Sequence, residues 1–152
     1  MEIEEIELIL NKDARKNRNS LKCQLLGGVE LESSKAFVVY LGDKTKNNPS
    51  VESLIIKHVL HGSTIKYKGK QGNLDITTLK KYYTVSFARL DHCKQLWNDI
   101  RSNVARSGLK IHLVKSYINR YMFYRKYPDN TLHYLLKEIS LAYPLNNDND
   151  TE

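Results

Sequence analysis

The stretch Val114–Lys126, VKSYINRYMFYRK, interleaves four cations with large apolar and aromatic side chains and one Asn. Lys115, Arg120, Arg125 and Lys126 can neutralise phosphates. Tyr117, Tyr121, Met122, Phe123 and Tyr124 can stack, wedge or pack, and Asn119 can hydrogen-bond a base edge. A polyanion attracts cations in any arrangement, whereas contact with bases also needs flat or wedge-shaped apolar groups beside the charges. The same spacing equally suits a helix with one face in a core and the other in water, so both readings stand.

Other reactive residue types lack the partners their chemistry needs. His58 and His61 have HxxH spacing and His92–Cys93 follows thirty residues on, but a zinc site needs three or four ligands at defined spacing, and no CxxC or HExxH element is present. His92 and Cys93 cannot act as base and nucleophile because adjacent helical residues project in different directions. The GKQG at residues 69–72 lacks the GxxxxGK[ST] spacing of a phosphate loop, and paired carboxylates in an apolar setting are absent. The expectation is a non-enzyme with no metal and no cofactor.

The elements that must position these residues follow from periodicity. Residues 2–10 carry Ile3, Ile6, Ile9 and Leu10 at helical intervals between glutamates, which predicts a short amphipathic helix. Residues 11–20 are polar and basic and predict a loop. AFVVYL at 36–41 predicts a buried strand, and KTKNNPS at 44–50 a turn. Residues 51–60 fit a helix better than a strand, TIKYK at 64–68 a hairpin strand, and YYTVSFA at 82–88 another strand. Asp91 then caps a helix with its stripe at Cys93, Leu96, Trp97, Ile100 and Val104, closed by Gly108, with Trp97 as core anchor. A last helix, capped by Asp129 or Asn130, carries Leu132, Leu135, Leu136 and Ile139, and stops at Pro144 before an acidic tail expected to be disordered. The fold class is α+β: a small strand-containing part at 1–90, a basic helical part at 91–145, and a tail at 146–152.

Charge separates these parts. Twenty-four Lys and Arg face 17 Asp and Glu in 152 residues, a formal charge of +7. Residues 80–137 hold 12 cations and three acids, so the excess is concentrated there. A polyanionic partner for the second half follows. Two cysteines far apart, an acidic start and no apolar run near membrane-spanning length predict a reduced intracellular setting without a membrane. Lys12, Arg15, Lys16 and Arg18 form a loose basic cluster compatible with nuclear import.

The succession Lys115, Ile118-Asn119, Tyr121-Met122, Tyr124 and Arg125 resembles the opening of an HMG box. Residues 117–127 are similar to the related alpha box of fungal mating-type activators, and Lys137-Glu138-Ile139-Ser140 resembles the start of the second helix region of many HMG boxes. About 30 residues are covered, Ser116-Tyr117 stands in place of the usual Arg-Pro, and the chain ends before a third helix. The resemblance implies a mating-type transcription regulator in the nucleus that binds and bends double-stranded, AT-rich DNA through the minor groove, alone or with a second transcription factor. In that reading Met122 is the wedge, Asn119 and Tyr121 meet base or sugar edges, Tyr124 lies at the interface, and Lys115, Arg120, Arg125 and Lys126 hold phosphates. The alternatives are a non-catalytic α+β protein-interaction subunit and an RNA-binding protein in which Tyr121 and Tyr124 stack unpaired bases.

Overall fold

The segment EIEEIELIL satisfies two periods at once, and tertiary pairing decides between them. It forms strand β1 (Glu2–Leu10), not the helix its threefold spacing suggests. Alternation sends Leu8 and Leu10 into one hydrophobic cluster and Ile3 into another, so both sides of the strand are in a core. Its flanks are taken as well, antiparallel by β2 (Leu21–Val29) and parallel by β4 (Thr64–Lys68). A helix would leave all of these partners unpaired. The computed structural model describes residues 1–10, 21–42, 50–69, 74–87, 90–104 and 109–143. The loop expected at 11–20 with its basic cluster, most of the 44–50 turn, Lys70 to Gly72 of GKQG, Gly108 and the 146–152 tail lie outside these residues.

By contacts the chain divides into Met1–Met122 and Phe123–Glu152. In the first unit β3 (Ala36–Gly42) pairs antiparallel with β2, and β5 (Thr84–Phe87) pairs parallel with β4, giving the sheet order β3-β2-β1-β4-β5. The parallel pairs need crossovers, which the helices α1 (Val51–His58) and α2 (Ile76–Lys80) supply. Leu54, Ile55, Val59 and Leu79 from these crossovers bury against Ile3, Leu26, Ile65 and Tyr67. On the other side α3 (His92–Asn103) brings Cys93, Leu96, Trp97 and Ile100 against Leu8, Leu10, Cys23 and Leu25. The chain is thus α+β, as its patterning predicts. The division falls within α4 (Val114–Lys126), not at residue 90, because α3 packs on β1 and β2 as part of the sheet-bearing unit.

Local chemistry fixes the helix starts. Ser50 accepts the Ser53 N–H at 3.2 Å to cap α1, and Asp75 accepts the Thr77 and Thr78 N–H groups at 3.0 and 3.2 Å to cap α2. For α3 the expected capping side chain is replaced. Asp91 occupies the N-cap position without a side-chain cap bond, while the Glu2 carboxylate accepts the N–H groups of His92 at 2.8 Å and Cys93 at 3.2 Å. Trp97 is 2% exposed and lies where a Cβ on Gly27 would collide with its indole, so the glycine in β2 lets the ring approach the sheet closely.

In the second unit α5 (Thr131–Ala142) follows a turn held by the Thr131 hydroxyl, which donates to the Tyr127 carbonyl at 2.6 Å. Tyr127 stacks on Tyr134, with centroids 4.0 Å apart, and meets Phe123 edge-on at 5.1 Å. No residue of α5 is buried.

Candidate nucleic-acid interface

Helix α4 follows a short 3₁₀ turn, Ile111–Leu113, and its spacing separates an inner from an outer side. Within the first unit Val114 and Ile118, four residues apart, are 0% and 1% exposed. Tyr121 and Met122 are half-buried and pack against the same cluster as Trp97. Lys115, Ser116, Asn119 and Arg120 are all exposed, and one-hundred-degree steps along a helix place them on one arc opposite Val114 and Ile118. Tyr117 flanks that arc at 40% exposure.

Five of the eight expected interface residues therefore belong to this unit, and they separate. Lys115, Asn119 and Arg120 are presented to solvent. Tyr121 and Met122 are only partly exposed. Met122, expected to project as a wedge, is half-buried and packs against the core cluster. The remaining three, Tyr124, Arg125 and Lys126, belong to the second unit and are exposed there. The Lys126 ammonium lies 4.8 Å from the Tyr127 centroid, and its hydrogen bond to Tyr127 holds its pKa above the usual lysine range.

Several buried or half-buried titratable groups outside α4 are committed to structure. Burial would push the Glu2 carboxyl up, but the N–H donors of Cys93 and His92, the His92 ring at 3.4 Å and the Asp91 N–H outweigh it, so its pKa falls below the ordinary value. Burial, reinforced by the carboxylates of Glu2 and Glu4, pushes the Cys93 thiol up to about 12; burial and Glu7 take Cys23 to about 11. Thiols held protonated in this way are poor nucleophiles. Glu5 accepts the Tyr67 hydroxyl, Glu52 accepts the Asp75 N–H, and Glu4 pairs with Lys68 at 2.8 Å. Burial and the Glu5 hydrogen bond push the Tyr67 hydroxyl far above the tyrosine range.

The histidines disperse. His58 stacks on Phe37 at 4.9 Å, His61 on Tyr82 at 4.7 Å, and His92 faces Glu2. Among the described residues no group of three or more His, Cys, Asp or Glu could hold a metal ion, and no helix is long and apolar enough to cross a membrane. The stacked His61–Tyr82 pair went unnoticed in the sequence because its members are 21 positions apart and share no periodicity. No protein-family model, curated protein or solved structure matches the chain, so the likeness to an HMG box rests on the residues quoted for it.

Proposed function

We propose that the protein is a non-catalytic, sequence-preferring DNA-binding regulator of transcription, acting in the nucleus on AT-rich duplex, alone or beside a second transcription factor. The observation that supports this most is the exposure of Lys115, Asn119 and Arg120 on one side of α4 while Val114 and Ile118 anchor the other. A helix fits the major groove of a duplex, a lysine and an arginine on its flanks neutralise phosphates, and an asparagine carboxamide matches the adjacent acceptor and donor of adenine. In this reading the outer arc contacts the major groove, in place of the minor-groove wedge and bend that the HMG-box likeness implies, and that likeness supplies only the class of regulator.

Gel-shift titrations at several salt concentrations test it. Replacing Lys115 and Arg120 together by Gln is expected to reduce the slope of log K against log salt by about 1.8, since each phosphate contact contributes roughly 0.9. Asn119→Ala should weaken the preference for AT-rich over GC-rich duplex by about tenfold, within the range of one bidentate base contact. Unchanged duplex affinity and slope in both variants would show that α4 is not the interface.

One observation favours a second reading, a protein-interaction subunit. Helix α5 exposes Leu132, Leu135, Leu136 and Ile139 along a single stripe. Helices bearing such anchors are recognised in apolar grooves. A protein whose duplex affinity vanishes at physiological salt would be read this way instead.

A further inference from the structure

At the end of the sheet where β4 and β5 begin, two turns are joined side by side. Residues 60–63 lead from α1 into β4, and residues 81–83 lead from α2 into β5. The Gly62 N–H donates to the Tyr82 carbonyl at 2.8 Å, the Thr84 N–H to the Ser63 carbonyl at 3.3 Å, and the Tyr83 hydroxyl to the Val59 carbonyl at 3.0 Å. Gly62 adopts φ +84 with open space around it, a conformation that a side chain would strain. These bonds hold the His61 and Tyr82 rings stacked, 4.7 Å apart with 27° between their planes.

This pair is not core. Tyr82 is 41% exposed and Leu60, beside His61, is 83% exposed. Lys57, in the last turn of α1, and Lys80 and Lys81, at the end of α2, are exposed as well. Residues 53–90 contain seven Lys and Arg and one acid, Asp75. That carboxylate is engaged by the Thr77 and Thr78 N–H groups and the Thr78 hydroxyl, with Lys81 nearby. Stacked rings, an exposed aliphatic group and exposed cations are the requirements for holding unpaired bases on a phosphate backbone. A duplex hides its base faces, so this surface and the outer arc of α4 call for different ligands.

We propose that the His61–Tyr82 stack, with Leu60 and the cations Lys57, Lys80 and Lys81, is a docking platform for the unpaired bases of a single-stranded nucleic acid. The base lies on the ring pair while the lysines follow the backbone. The platform does not depend on α4 contacting duplex.

Fluorescence anisotropy of the full chain with labelled oligo(dT) and oligo(U) tests it, and the stronger of the two identifies DNA or RNA as the source of the strand. Tyr82→Ala is expected to weaken binding by roughly 5- to 150-fold, the range one stacked base is worth, and Tyr82→Phe to retain it. The indole of Tyr82→Trp should be quenched by either oligonucleotide and unaffected by inorganic polyphosphate at equal phosphate concentration. Duplex binding should persist in Tyr82→Ala, and single-strand binding should persist in the Lys115→Gln/Arg120→Gln variant, which separates failure here from failure of the α4 interface. Unchanged oligonucleotide affinity in a folded Tyr82→Ala protein, or equal quenching by polyphosphate, would overturn the proposal.

Discussion

Helices α3 and α5 carry the same apolar spacing and meet opposite fates. Cys93, Leu96, Trp97 and Ile100 stand at the same intervals as Leu132, Leu135, Leu136 and Ile139, yet the first four are 0 to 2% exposed and the second four 44 to 68%. A stripe states which side of a helix needs covering and says nothing about what covers it. For α3 the cover is the sheet, prepared for it by a bare glycine beneath the indole and by a carboxylate at its first turn. For α5 the ring stack of Tyr127 on Tyr134 lies on a different side of the helix from the leucines.

Substitutions on the two stripes should therefore differ most in size. Trp97→Ala is expected to destabilise the sheet-bearing unit by about 3–5 kcal/mol in urea denaturation, the usual penalty for emptying a large aromatic site. A loss under about 1 kcal/mol would contradict the packing described for α3. Next comes the carboxylate at the first turn of α3. Glu2→Gln should reduce stability by about 1.5–3 kcal/mol at neutral pH, as charged acceptors do when neutralised. Because the folded carboxyl has a lowered pKa, its contribution is present above the ordinary glutamate range and lost as pH falls through the folded value. The variant should accordingly show a flatter acid limb than the parent between neutral and strongly acidic pH, and an unaltered limb would refute the assignment. The smallest effect belongs to α5: Leu135→Ser with Leu136→Ser should leave denaturation within about 0.5 kcal/mol of the parent. A loss comparable to that of Trp97→Ala would mean the stripe is covered in solution.

The same contrast explains what could be read from the sequence. Elements whose patterning is strong were predictable, including β3, β5, α3 and α5, and α1 follows the helical one of the two states its sequence allows, whereas β4 is a strand but not the hairpin strand expected, since it pairs parallel with both β1 and β5. Strand β1 was misread because Ile3, Ile6 and Ile9 satisfy a helical period, and only its pairing with segments 11 and more residues away decides the matter. Strand β2 escaped notice because Gly27 and Gly28 depress its strand character, and α2 because it has five residues. The cap on α3 comes from a residue ninety positions distant. At the candidate interface the cations and Asn119 were identified by type, whereas the inward turn of Tyr121 and Met122 depends on how α4 docks, which no spacing rule supplies.

The central place of β1 in the sheet has a consequence for synthesis. Of the five strands it is the first in chain order, and β2 can zip along one of its edges soon after, but the opposite edge stays open until residues 64–68 leave the ribosome. Glu2 waits longer still, for the amides of residues 92 and 93. During that interval the nascent chain displays a bare backbone ladder, the template other strands seek, so the polar Glu4, Glu5 and Glu7 along β1 are well placed to deter pairing with a stranger before the proper neighbour arrives.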